Sequence, residues 1–174
     1  MSLLGLFTAC KSQNNSDGDS QNTKKEKPTM PQGKLLGLEY NYSGMRIEQF
    51  GDFNLQRKEK GTGATFKFRH YNVETTYEVS DTLLDAAKRI IEEEKMYEYG
   101  ISYSWEVPNG GRILDGYAWH FYALFENKDT INSSGSNASP DGEGLHRINA
   151  LLSEAARKCI EKDESKLLVS AKKE

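Results

Sequence analysis

The side chains that could carry chemistry in this chain are few and far apart. Three histidines stand at His70, His120 and His146. None has a second histidine or a cysteine at zinc-ligand spacing, so no metal site is expected. A histidine acts as a general base only within reach of the proton it takes. A hydrolase would therefore need one of the three beside a serine or carboxylate in a pocket. No Gly-x-Ser-x-Gly elbow is present. Cys159 falls on the apolar stripe of a C-terminal helix and reads as a small buried hydrophobe, since a reactive thiol needs exposure and nearby positive charge. Glu92, Glu93 and Glu94 are adjacent on a helix, point in different directions and read as a solvated face. No catalytic residue, cofactor or metal is expected.

One polar stretch stands out, Ser133 to Asp141. Ser139 followed by Pro140 is a helix-start signal, with serine at the cap and proline at the first helical position. Two readings of Ser134, Gly135, Ser136, Asn137 and Ser139 follow. Free amides at a helix start can hold an anion such as phosphate or carboxylate. Alternatively the same side chains satisfy backbone groups at a tight corner. The Gly-Lys-Ser/Thr of a phosphate loop is missing.

These residues need elements to place them, and the patterning supplies a set. Leu36, Leu38, Tyr40 and Tyr42 alternate with polar positions as a strand does. A second strand begins at Met45 and Ile47 and runs to about Arg57, with a bulge at Gly51. Phe66 and Phe68 mark a third strand; Val73, Tyr77 and Val79 mark a fourth. Ser80-Asp81 caps a helix that carries Leu83, Ala87, Ile90, Ile91 and Tyr97 and stops near Tyr99, before Gly100. Ile101 to Val107 alternates again. Tyr117 to Phe125 is apolar on both faces and reads as a central strand covered on both sides. Thr130 to Ser134 is the last strand. The final helix carries Leu145, Ile148, Leu152, Ala155 and Cys159, widened by Leu151 and Ile160. The order ββββα-βββα predicts an α+β fold: a mostly antiparallel sheet with two helices on one face.

Composition bounds the function. The chain has 174 residues, net charge −3 and no basic stripe, so nucleic acid is not an expected partner. Residues 11–33 are nearly free of large apolar side chains and read as a disordered tether. Residues 34–162 form one domain, and 163–174 a charged tail. Tyr103, Trp105, Tyr117 and Trp119 are candidates for an aromatic binding surface, because such rings pair apolar area with a hydrogen-bonding tip.

Two resemblances add to this. Leu6-Phe7-Thr8-Ala9-Cys10 resembles the lipobox of bacterial lipoproteins, which implies that Cys10 is lipidated, with palmitate among its acyl groups, and anchors the chain to a membrane. The apolar run before Cys10 is short and lacks Lys or Arg, so residues 1–10 read as a truncated signal peptide whose natural start lies upstream. Asp115-Gly116-Tyr117-Ala118-Trp119 with Ser133-Ser134-Gly135-Ser136-Asn137-Ala138-Ser139-Pro140-Asp141 resembles a family of uncharacterised secreted or lipid-anchored bacterial proteins, which implies no particular activity. The expectation is a cell-envelope lipoprotein, facing the outer membrane or periplasm if Gram-negative. Its domain would be a non-catalytic module for an envelope protein, peptide or glycan; the alternatives are a small-substrate hydrolase and a structural subunit of an envelope complex.

Overall fold

The computed structural model describes residues 28–44, 49–105 and 116–171. Cys10, most of the tether, Met45 and Ile47, Val107 and Asp115 lie outside them. The chain is α+β, with a seven-stranded, mostly antiparallel sheet and two helices. The strands are β1 (Leu35–Ser43), β2 (Phe50–Arg57), β3 (Ala64–His70), β4 (Val73–Val79), β5 (Ser102–Ser104), β6 (Ala118–Phe125) and β7 (Thr130–Ser136). Helix α1 spans Thr82–Glu93 and α2 spans Gly144–Ala171, with a short 3-10 turn at Met96–Glu98 after α1.

The sheet order is β4-β3-β2-β1-β6-β7-β5, and only the β5–β7 pair is parallel. The first four strands form a meander, each pairing antiparallel with the next in the chain. The β1–β6 pair then joins this meander to the later strands: Tyr40 sits opposite Phe121, and Tyr42 opposite Trp119. Residues that face one another across the ladders share a side of the sheet. Leu38, Leu55, Phe66 and Ala123 therefore line up on one face, all fully buried.

Local geometry corrects several expectations. A register shift between Leu35 and Gly37 puts Leu35 in the core and leaves Leu36 half-buried, so the alternation at the start of β1 slips by one. The bulge expected at Gly51 is present, with Asp52 at φ 50° and two residues, Asp52 and Phe53, set against Phe68. The extra residue lets Phe50 and Phe53 reach the same face: Phe53 is buried, and Phe50 stacks on His70 at 5.1 Å. Along β6, Trp119, Phe121, Ala123 and Phe125 are buried, but His120, Tyr122 and Leu124 on the other face are only half-buried. The strand is central without being covered on both sides.

The helices pack on the buried face, α1 across β1 and β2, and α2 against α1 and β2. α1 buries Leu84, Ala87, Ile90 and Ile91, so Leu84 takes the role expected of Leu83. It ends at Glu93, short of Tyr99, and Lys95 at φ 50° turns the chain into the 3-10 element that buries Met96. α2 begins at Gly144, five residues beyond Ser139, and continues to Ala171, past the end expected at Lys162. It buries Ile148, Leu152 and Ala156; Ala155 and Cys159 are half-buried at the edge of the core. The domain also starts earlier than Lys34, because Pro31 is buried and Met30 packs on the core.

Two arginines fasten the helices. Arg57 donates to the Leu35 carbonyl at 3.1 Å and to Asp81 and Asp85 at 3.0 and 2.8 Å, tying the α1 start to the ends of β1 and β2. Asp81 thus spends its carboxylate on Arg57, and the Ser80 hydroxyl accepts the Thr82 amide instead. Arg147 on α2 donates to Glu93 and Glu94 at 2.6 and 2.5 Å, so those two glutamates bridge the helices and are not merely a solvated face. Close beside them, burial and then Glu94 push the Tyr99 phenol up to about 12.

Gly135 sets a strict spacing in β7. A Cβ there would lie 2.3 Å from Trp119 Nε1 and 2.4 Å from the Ala138 carbonyl oxygen. Gly135→Ala should overpack this contact by about 1–3 kcal/mol and lower Tm by several degrees. Gly37→Ala, whose Cβ would meet nothing nearer than 3.9 Å, should leave Tm nearly unchanged. Thermal unfolding followed by circular dichroism compares the two; equal shifts would show that the Trp119 contact is not limiting.

Candidate functional site

The distinctive motif residues meet at one corner of the sheet. Asn137, at φ 55°, leaves β7 in the left-handed conformation that asparagine tolerates. Its side-chain oxygen accepts the Tyr117 amide at 2.9 Å, and its own amide donates to the Tyr117 carbonyl at 2.9 Å. Trp119 Nε1 donates to the Ala138 carbonyl at 2.8 Å. The Tyr117 and Ser139 hydroxyls are 3.2 Å apart. Together these contacts form a clasp between the start of β6 and the segment after β7. Tyr117 stacks on Tyr42 at 6.0 Å, which carries the clasp across to β1.

The clasp decides between the two readings of the serine-rich stretch. Ser134, Gly135 and Ser136 belong to β7, and the helix starts only at Gly144, so they present no amides of a helix N-terminus. An anion reading that relies on helix-start amides therefore finds none in these three residues. Asn137 satisfies a backbone amide, Ser139 meets the Tyr117 hydroxyl instead of a backbone group, and Gly135 provides clearance for Trp119. Ser133, the neighbour in β7, is buried and donates to the Gly100 carbonyl at 2.6 Å, fixing the segment that leads into β5.

The aromatic candidates also separate. Trp119 is only 4% exposed and belongs to the core, packed against Tyr103 at 5.8 Å. It faces inward because it sits in phase with Phe121 and Phe125 on β6. Tyr103 and Tyr117 are half-buried, and Trp105 is 55% exposed. The four do not make one surface.

What the corner does make is a cavity of about 280 Å³ between the sheet and the start of α2. Tyr40 and Tyr42 come from β1, Phe50, Gly51 and Phe53 from β2, and Trp119 from β6. Ser139, Leu145, His146 and Asn149 close the side nearest α2. Trp119 and Ser139, drawn from two separate sequence signals, are thus brought together. His146 stands out in the sequence only as one of three candidate histidines, and the others were missed as site residues. Tyr40 and Tyr42 read only as alternating strand positions, and Phe50 and Phe53 meet only because of the bulge. His146 and Asn149 lie three apart on α2, a helical spacing that does signal a shared face.

The chemistry of the walls is apolar and aromatic, with Ser139, His146 and Asn149 as hydrogen-bonding groups at the mouth. No carboxylate lines it among the described residues. Nor does any histidine there hydrogen-bond to a serine or carboxylate: His120 pairs with Asn132 at 3.0 Å on the opposite face, and His70 stacks between Phe50 and Tyr71. Among the described residues no group of three His, Cys, Asp or Glu side chains could hold a metal ion. Cys159 lies away from this corner; burial, then Asp163, push its thiol up and hold it in the neutral form. Among those residues no helix is long and apolar enough to cross a membrane.

Compared with known proteins, the chain matches no protein-family model, no curated protein and no solved structure.

The clasp makes a graded prediction. Asn137→Ala removes the side-chain acceptor and places a Cβ-bearing residue without a polar tip at positive φ, costing about 2 kcal/mol. Asn137→Gly relieves the backbone but not the lost acceptor, and should cost about half as much. Urea unfolding gives both values; an alanine variant no worse than glycine would mean that the φ at 137 is not constrained by the corner.

Proposed function

We propose that this chain is a non-catalytic binding module, held at the cell envelope by a lipid on Cys10, whose corner cavity receives one ring of an envelope glycan. The observation that carries this reading is the cavity itself: aromatic faces with Ser139, His146 and Asn149 at the mouth. Sugars offer an apolar C–H face and a rim of hydroxyls, so they pair with aromatic rings below and neutral hydrogen-bonding groups at the edge. The cavity lies just under the roughly 300–1,000 Å³ of sites that enclose drug-sized ligands, which suits a single ring. Hydrolysis of a glycoside would ask for two carboxylates flanking the bond, and none of the described lining residues supplies one. The polar tether and the Thr8-Ala9-Cys10 sequence support the envelope location.

Trp119 forms part of the wall and gives a direct signal. Titrating the protein with a β-1,4-linked N-acetylglucosamine trisaccharide should change tryptophan fluorescence saturably. Trp105→Phe should keep that change, since Trp105 lies outside the cavity, and Asn149→Ala should weaken binding about fivefold, or ~1 kcal/mol. No saturable change up to about 10 mM, equivalent to under ~3 kcal/mol of binding, would sink the glycan reading. The anchor is tested separately by metabolic labelling with a palmitate analogue. The wild-type chain should incorporate label and Cys10→Ala should not; equal labelling would refute lipidation at Cys10.

A further inference from the structure

A second site lies at the opposite edge of the sheet, where β4 is the terminal strand among the described residues. β3 and β4 are joined by a two-residue turn, with His70 opposite Val73. In such a hairpin the pairs flanking the turn alternate between hydrogen-bonded and non-hydrogen-bonded. Val73, Thr75, Tyr77 and Val79 therefore direct their amides and carbonyls at β3. Glu74, Thr76 and Glu78 direct theirs outward, as a template for one more strand.

Beneath this edge a groove remains between the sheet and the helices, bridged where the Tyr77 side chain of β4 hydrogen-bonds with Asp163 of α2. The groove, of about 660 Å³, has an apolar floor of Tyr77 and Val79 from β4, Leu83 and Ala86 from α1, and Leu151 and Cys159 from α2, while Glu154, Lys158, Lys162 and Asp163, of both signs, line it along α2. Leu83, left out of the core when Leu84 took its place, faces this groove. A strand added alongside β4 would send every second side chain over the groove. The alternate side chains would lie on the open face of the sheet, beside Glu74 and Glu78, which are 66% and 62% exposed. Among the described residues those carboxylates pair with Lys67 of β3 and with Lys58 just after β2, and their outer flank leaves room for a further cation.

We propose that the β4 edge and its groove bind an extended peptide segment of another protein, in which apolar residues alternate with lysine or arginine. Backbone pairing to Glu74, Thr76 and Glu78 gives the register, the groove takes the apolar positions, and the two glutamates select the basic ones. A second copy of this chain fits less well. The antiparallel register that pairs all seven residues of β4 sets Glu74 against Glu78 of the second copy, and like charges directly opposite destabilise a ladder.

The test uses the whole chain and a fluorescein-labelled, end-capped peptide of alternating lysine and valine, followed by fluorescence anisotropy. Saturable binding is expected, weakening as salt rises. A glutamate–valine peptide, and a lysine–valine peptide with its valines grouped together, should bind at least tenfold more weakly. Thr76→Pro removes the central outward amide, a change that an edge strand tolerates, and should abolish binding. If that variant fails to fold, the exposed pair Glu74→Lys/Glu78→Lys answers instead: it should reverse the preference in favour of the glutamate–valine peptide. Equal binding of the alternating and grouped peptides would overturn the proposal, as would retained binding in folded Thr76→Pro. Sedimentation of the chain alone completes the test: a concentration-dependent dimer lost in Thr76→Pro would assign the edge to a second copy and overturn the peptide reading.

Discussion

Everything in this fold hangs on the antiparallel ladder between β1 and β6. It pairs residues some eighty positions apart and turns a four-strand meander and a smaller three-strand unit into one sheet. Closing such a long loop costs entropy that local contacts do not repay. The return comes from the ladder's inner face, where Leu38, Tyr40, Phe121 and Ala123 are removed from water together. Burial at about 25 cal/mol per Å² makes such large side chains the main source of stability. Because the ladder also fixes register, it decides that Tyr42 sits opposite Trp119, and hence where the aromatic corner is.

The corner shows how backbone satisfaction and a cavity arise from the same residues. Asn137 spends its side-chain oxygen on the Tyr117 amide at the start of β6, and Trp119 spends its Nε1 on the Ala138 carbonyl of the chain that leaves β7. That chain then runs from Ser139 to Gly144 before α2 begins, and Leu145, His146 and Asn149 from the first turns of the helix line the cavity opposite the sheet. The bulge at Gly51 and Asp52 swings Phe50 into line with Phe53 on the other wall. Neither device alone would leave an aromatic-lined space; the clasp supplies one wall and the bulge the other.

The two sides of the sheet are managed differently. On the buried side, Arg57 and Arg147 lock the helices at their ends through carboxylates, geometry that is stronger than isolated surface pairs because each guanidinium engages two partners. Between those locks, beside β4, a groove with an apolar floor remains between the sheet and the two helices. On the other side, Lys67–Glu74 and Arg69–Asp52 pairs sit among polar residues in contact with water. The half-buried Tyr122 and Leu124 gave the impression of a strand covered on both faces, but apolar identity is not burial.

Much of the fold was legible in the sequence because two periods write it plainly. Alternation marks β3 and β6, the 3.6-residue period marks α1 and α2, and the glycine in β2 announces its bulge. What was not legible came from events one residue wide: the register shift at Leu35, Leu84 in place of Leu83, and the delayed start of α2 beyond a convincing Ser-Pro signal. Each is a case of packing overriding a local preference. By itself, then, the sequence determined the α+β class, the core-facing stripes and the polar N-terminal segment, since those follow from hydropathy along a chain. Only the tertiary structure decided that Trp119 is core, that Ser134 to Ser136 lie in a strand, that Tyr40, Phe50, His146 and Asn149 share a cavity, and that β4 is the terminal strand among the described residues, beside a groove. Those are relations between distant residues, and they exist only once the β1–β6 ladder has closed.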